Sequence, residues 1–186
     1  MIKTLLTFAS CLLAFTYGGN IALGPVPDQL ISWTADSKNI TFQITCQPNP
    51  KYGALSWCAF GINSANGTAM APGAVMFLSV GENGVAKPVE DRVITVTAEP
   101  PCSTTQISYT LASHYDNTTG ILSATVTRPL KISAAARKEG LVDITNSVAY
   151  LLGANGNGLR VAGHCALGHV EHYGVYNDVG VNFLSN

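Results

Sequence analysis

The chain has 186 residues, only 11% of them Asp, Glu, Lys or Arg, and a formal net charge of −1. With neither a basic footprint nor an acidic tail, nucleic acid is not an expected partner. Its length suits one domain with a sizeable core.

Met1-Ile2-Lys3-Thr4 carries one positive charge, an almost wholly apolar stretch follows over 5–17, and the small residues Gly18 and Gly19 close it. This is the layout of a signal peptide, so residues 1–18 are expected to be removed and 19–186 to form a secreted, extracellular domain. The apolar run is shorter than the ~20 residues a spanning helix needs, and no later segment reaches that length uninterrupted, so no membrane span is expected. Cys11 leaves with the leader. Cys46, Cys58, Cys102 and Cys165 remain as an even set in an oxidising compartment, which predicts two disulfides in any of three pairings. The sequons at Asn39, Asn66 and Asn117 fit the same address and are candidate glycosylation sites.

In chain order, 40–45 alternates apolar with polar residues, as do 92–96 and 121–126, which predicts half-buried strands. Segments 55–62 and 73–80 are continuously apolar and read as central strands covered on both faces. Further strands are expected over 106–112, 148–152 and, at the end of the chain, 179–184. Tight-turn chemistry falls between them at Asp36-Ser37-Lys38-Asn39, Pro48-Asn49-Pro50, Glu82-Asn83-Gly84, Asp116-Asn117-Thr118-Thr119-Gly120 and Asn155-Gly156-Asn157-Gly158. Only 133–140 has helical propensity. The expectation is an all-β, immunoglobulin-like antiparallel β-sandwich of eight to ten strands with one short helical segment.

Three of the four histidines, His164, His169 and His172, lie within nine residues of one another beside Cys165. Zinc and copper both take such ligands, but a blue-copper arrangement wants a following Met and none lies beyond Met76. Zinc would need a fourth donor, and Cys165 is accounted for by a disulfide. No Gly-x-Ser-x-Gly elbow occurs and the acidic residues sit singly, so nothing points to hydrolysis.

Ser56-Trp57-Cys58-Ala59-Phe60-Gly61-Ile62-Asn63, followed by Asn66-Gly67-Thr68-Ala69-Met70-Ala71-Pro72-Gly73, resembles the Trp-led strand and Gly-x-x-Met loop of DOMON domains. The plant apoplastic auxin-responsive b-type cytochromes and the cytochrome domain of cellobiose dehydrogenase belong to that family. Weaker matches follow in order at Arg128-Pro129-Leu130, Val148 to Gly153, His164 to Gly168 and the closing Val179 to Ser185, so the likeness covers 30–186. It implies that Met70 and His164 ligate the iron of a haem b, with Trp57 and Phe60 as apolar walls. The additional stretch 168–178 leaves His169 or His172 as alternatives to His164. The implied function is a secreted electron-transfer domain without substrate chemistry of its own, served by a redox partner protein or a small-molecule donor or acceptor. The alternative is a haem-free DOMON-type module that binds sugar or protein.

Overall fold

The computed structural model describes residues 17–23, 29–48, 55–63, 73–94, 102–160 and 167–185, with the backbone alone at 63, 73–74, 94, 152, 157–160 and 167–179. Among the described residues ten strands form two antiparallel five-stranded sheets. In chain order they are β1 (Tyr17–Leu23), β2 (Gln29–Ala35), β3 (Asn39–Cys46), β4 (Ser56–Asn63), β5 (Gly73–Ser79), β6 (Glu90–Ile94), β7 (Tyr109–Asp116), β8 (Ile121–Pro129), β9 (Ala149–Arg160) and β10 (Leu167–Val181). The first sheet runs β1-β2-β3-β8-β7 and the second β10-β9-β4-β5-β6. The expected all-β sandwich is therefore what this chain forms.

Alternation builds the core. In β3, Ile40, Phe42, Ile44 and Cys46 are buried while their neighbours are partly or fully exposed, and β8 repeats the pattern at Leu122, Ala124 and Val126. These side chains meet Cys58, Phe60, Ile62, Met76 and Leu78 of the second sheet in one cluster. Phe42 packs edge-on against both Phe60 and Phe183. Tethers cross the interior. The disulfide Cys46–Cys58 joins β3 to β4, and the buried amide of Gln29 on β2 donates to the carbonyls of Ala59 (3.0 Å) and Ala154 (3.2 Å) on the facing sheet. Cys102 is also disulfide-bonded.

The single helix among the described residues, α1 (Ala134–Glu139), begins where Ser133 accepts from the Ala136 N–H and ends where Gly140, at φ 104°, donates to the last carbonyls. Three sequence expectations shift. The strand expected over 106–112 starts at Tyr109, because Gln106, Ile107 and Ser108 are instead tied to the β6 region, the last two by hydrogen bonds to Asp91. The terminal strand expected at 179–184 is the end of the much longer β10, which stops at Val181. Asn155 to Gly158 is not a turn but the middle of β9, paired on one side with β4 and on the other with β10. Close approach explains the glycine there: a Cβ on Gly153 would lie 2.5 Å from the Gln29 side-chain oxygen and 3.1 Å from Leu23 Cβ.

Candidate functional site

The continuous apolar runs of β4 and β5 do cover two faces. Cys58, Phe60, Ile62, Met76 and Leu78 point into the sandwich. Trp57, Ala59, Val75 and Phe77, with Ala154 of β9, form a separate buried cluster on the opposite face of the second sheet. Trp57 and Phe77 stack with their ring centroids 5.2 Å apart. The Arg92 guanidinium lies over Phe77, 3.6 Å from its centroid, and is paired with Glu90 at 3.0 Å. Trp57 is 2% exposed and Phe60 0%. They belong to opposite faces of one strand, so they do not wall a common slot; Phe77 is the neighbour of Trp57 that the sequence reading did not single out. Its signal was there, since Val75 and Phe77 share a strand face by the period of two.

Met70 and His164 lie outside the described residues, as do Asn66 and Cys165. Strand register nevertheless fixes where their neighbours stand. Asn63 pairs with Gly73 and with Tyr150, so the Met70-bearing segment leaves and rejoins the second sheet in that row. His172 pairs with Gly156, which pairs with Trp57, and His169 pairs with Gly158. From the Asn63 row to the Trp57 row is six positions (63 − 57), or about 20 Å at ~3.4 Å per residue. Gly158 lies eight positions from Tyr150 on β9, about 27 Å, and Arg160, beyond which His164 follows, lies ten positions away, about 34 Å. Of the three histidines, His172 thus has the register position nearest the Met70 segment, and His164 has the most remote neighbours. Among the described residues no group of three or more His, Cys, Asp or Glu side chains gathers as a metal site.

Asn39 and Asn117 are exposed, each in the turn or strand start where its sequon was read, and so are accessible as acceptors. Asp36 accepts from the Lys38 and Asn39 amides at 2.7 and 2.8 Å and shapes the first turn; these bonds hold its carboxyl below the usual carboxylate range.

The outer face of the first sheet has a different character. Its cross-strand rows read Thr34–Thr41–Thr127–Tyr109, Ser32–Gln43–Thr125–Ala112 and Leu30–Thr45–Ser123–His114. These rows hold hydroxyls, one amide, one imidazole and the exposed Leu30 and Tyr109, with no Asp, Glu, Lys or Arg. No helix among the described residues is long and apolar enough to cross a membrane. No protein-family model and no curated protein matches the chain.

Proposed function

We propose that the protein is a secreted, DOMON-type haem-b electron carrier in which Met70 and His172 are the axial ligands. The observation that carries this reading is the stacked Trp57–Phe77 cluster on the outer face of the second sheet, whose Trp57 shares a register row with Gly156 and His172. Trp57, Phe77, Ala59 and Ala154 are apolar neighbours on strands that flank the two ligand-bearing segments. His172 replaces His164 in the proposal because its register position is nearer the Met70 segment. A haem b bound there would supply reversible one-electron exchange. Met70 and His172 would be the residues that hold such a group, with Trp57 and Phe77 as the apolar side chains nearest the His172 row. Donor and acceptor are then separate molecules, a redox protein or a small extracellular reductant or oxidant.

The test is a haem titration of the refolded or secreted protein followed by visible spectroscopy. Haem-b bands that sharpen on reduction are expected, with His172→Ala and Met70→Ala each abolishing the low-spin spectrum and His164→Ala leaving it unchanged. A protein that takes up no haem overturns the carrier reading. The uncharged, hydroxyl-lined outer face of the first sheet favours a second reading, a haem-free module that recognises a neutral sugar or protein surface, and the same titration separates the two.

A further inference from the structure

A cleft opens at the end of the sandwich where β3 begins and β8 ends. It encloses about 700 Å³, within the range of sites that bury a small organic ligand. Leu130, Ile144 and Leu184 make its apolar lining, with Leu130 and Ile144 buried at 7% and 4% exposure. Backbone bonds hold its walls together: the Leu130 N–H donates to the Lys38 carbonyl and the Ile144 N–H to the Leu130 carbonyl, both at 2.8 Å.

Two lysines line the same space, Lys38 from the β2–β3 turn and Lys131 from the segment after β8, both exposed. The one carboxylate in the lining, Asp143, is already engaged. It accepts from the Ile132 N–H at 2.8 Å and pairs with Arg137 at 3.2 Å. In a chain with only ten Lys and Arg in total, two lysines among the residues that line one partly apolar cleft give that cleft a positive character. It is complementary to a negative group carried on an apolar body.

We infer that this cleft binds a small amphipathic carboxylate, its apolar part against Leu130, Ile144 and Leu184 and its carboxylate between Lys38 and Lys131. Neutral hydroxyl ligands and cations are disfavoured by the same two charges. Asn39, a sequon residue, also lines the cleft, so a glycan there would stand at its mouth and compete with the ligand. The Asn39→Gln protein is therefore the reference.

Octanoate is the probe, with 1-octanol as its neutral counterpart, both titrated into the Asn39→Gln protein by calorimetry at low and at physiological salt. Saturable one-to-one binding of octanoate that weakens with salt is expected, with 1-octanol and the Lys38→Ala/Lys131→Ala variant each binding about tenfold or more weakly. A Thr145→Trp substitution, at an exposed lining position, is expected to block binding while leaving the far-ultraviolet circular dichroism and the urea-unfolding midpoint unchanged. It serves as the second arm should the double lysine variant misfold. Failure of octanoate to saturate, equal affinity for 1-octanol, or unchanged affinity in both variants overturns the assignment.

Discussion

Asp91 is a carboxylate buried to 2% exposure at the start of β6, and three donors converge on it. The Ile107 and Ser108 amides approach at 2.6 and 2.7 Å and the Ser108 hydroxyl at 2.6 Å, which fastens the chain before β7 to the second sheet. Asp91→Ala would leave those donors buried without an acceptor and is expected to cost about 3 kcal/mol, read from urea midpoints at constant slope. Arg128, a buried residue of β8, has its pKa pushed down to about 10 by desolvation, against which the charges of Asp91 and Asp143 act. Neither residue could be given this role from sequence. Asp91 was one of several singly placed acidic residues and Arg128 part of the Arg128-Pro129-Leu130 match, and only folding brings a carboxylate from one sheet and a guanidinium from the other into one interior.

Glu139, at the end of α1, accepts from the hydroxyls of Thr104 (2.6 Å) and Ser103, from the Thr105 hydroxyl, and from the Thr104 and Thr105 amides at 2.9 and 3.1 Å. The side-chain bonds from Ser103, Thr104 and Thr105 hold its pKa at about 2. Because the folded-state value is depressed, its stabilisation is present in full above the ordinary range near 4.5 and is lost as pH falls through about 2. Acid titration of stability should show that loss in the native protein, and the slope between those values should be shallower in Glu139→Gln.

At the scale of elements, the sandwich depends on ties between two sheets that share no hydrogen-bonded ladder. Cys46–Cys58 closes a short loop, its ends 12 positions apart in sequence. Replacing both by Ala is expected to lower stability by about 3 kcal/mol, with the heat-unfolding midpoint as the readout. Gly153 shows why only the start of β9, within the strand expected over 148–152, was legible. A run of Gly and Asn reads locally as turn chemistry, yet here the absent side chain lets β9 pass against Gln29 and Leu23 while pairing on both edges. Gly153→Ala is expected to cost about 1–3 kcal/mol through overpacking, by the same denaturation assay. β4 and β5 were legible for the opposite reason: an unbroken apolar run has no water-facing side, and both faces are buried here. The helix was legible as well, because its start and stop signals, Ser133 and Gly140, are local.

For the whole molecule, β1 begins at Tyr17, so two of its residues fall inside the leader expected to be cut at Gly18. Their pairs are Tyr17 with Ala35 and Gly18 with Thr34, and the five remaining pairs from Gly19 to Leu23 keep the strand on the sheet. Expression with the native leader in a eukaryotic secretory host is expected to yield protein in the medium whose first residue is near Gly19 and whose mass falls on enzymatic N-deglycosylation. Retention in the cell with Met1 intact would reject the secreted assignment.

Side-chain alternation, apolar runs and cap residues are properties of neighbours in the chain, and they sufficed to determine an all-β sandwich with one short helix. The Cys46–Cys58 pairing, the stacking of Trp57 on Phe77 and the cleft lined by Lys38 and Lys131 were decided only by tertiary structure. Each is a meeting of strands or turns distant in sequence, set by sheet order and register, and a local pattern carries no record of which strand lies beside which.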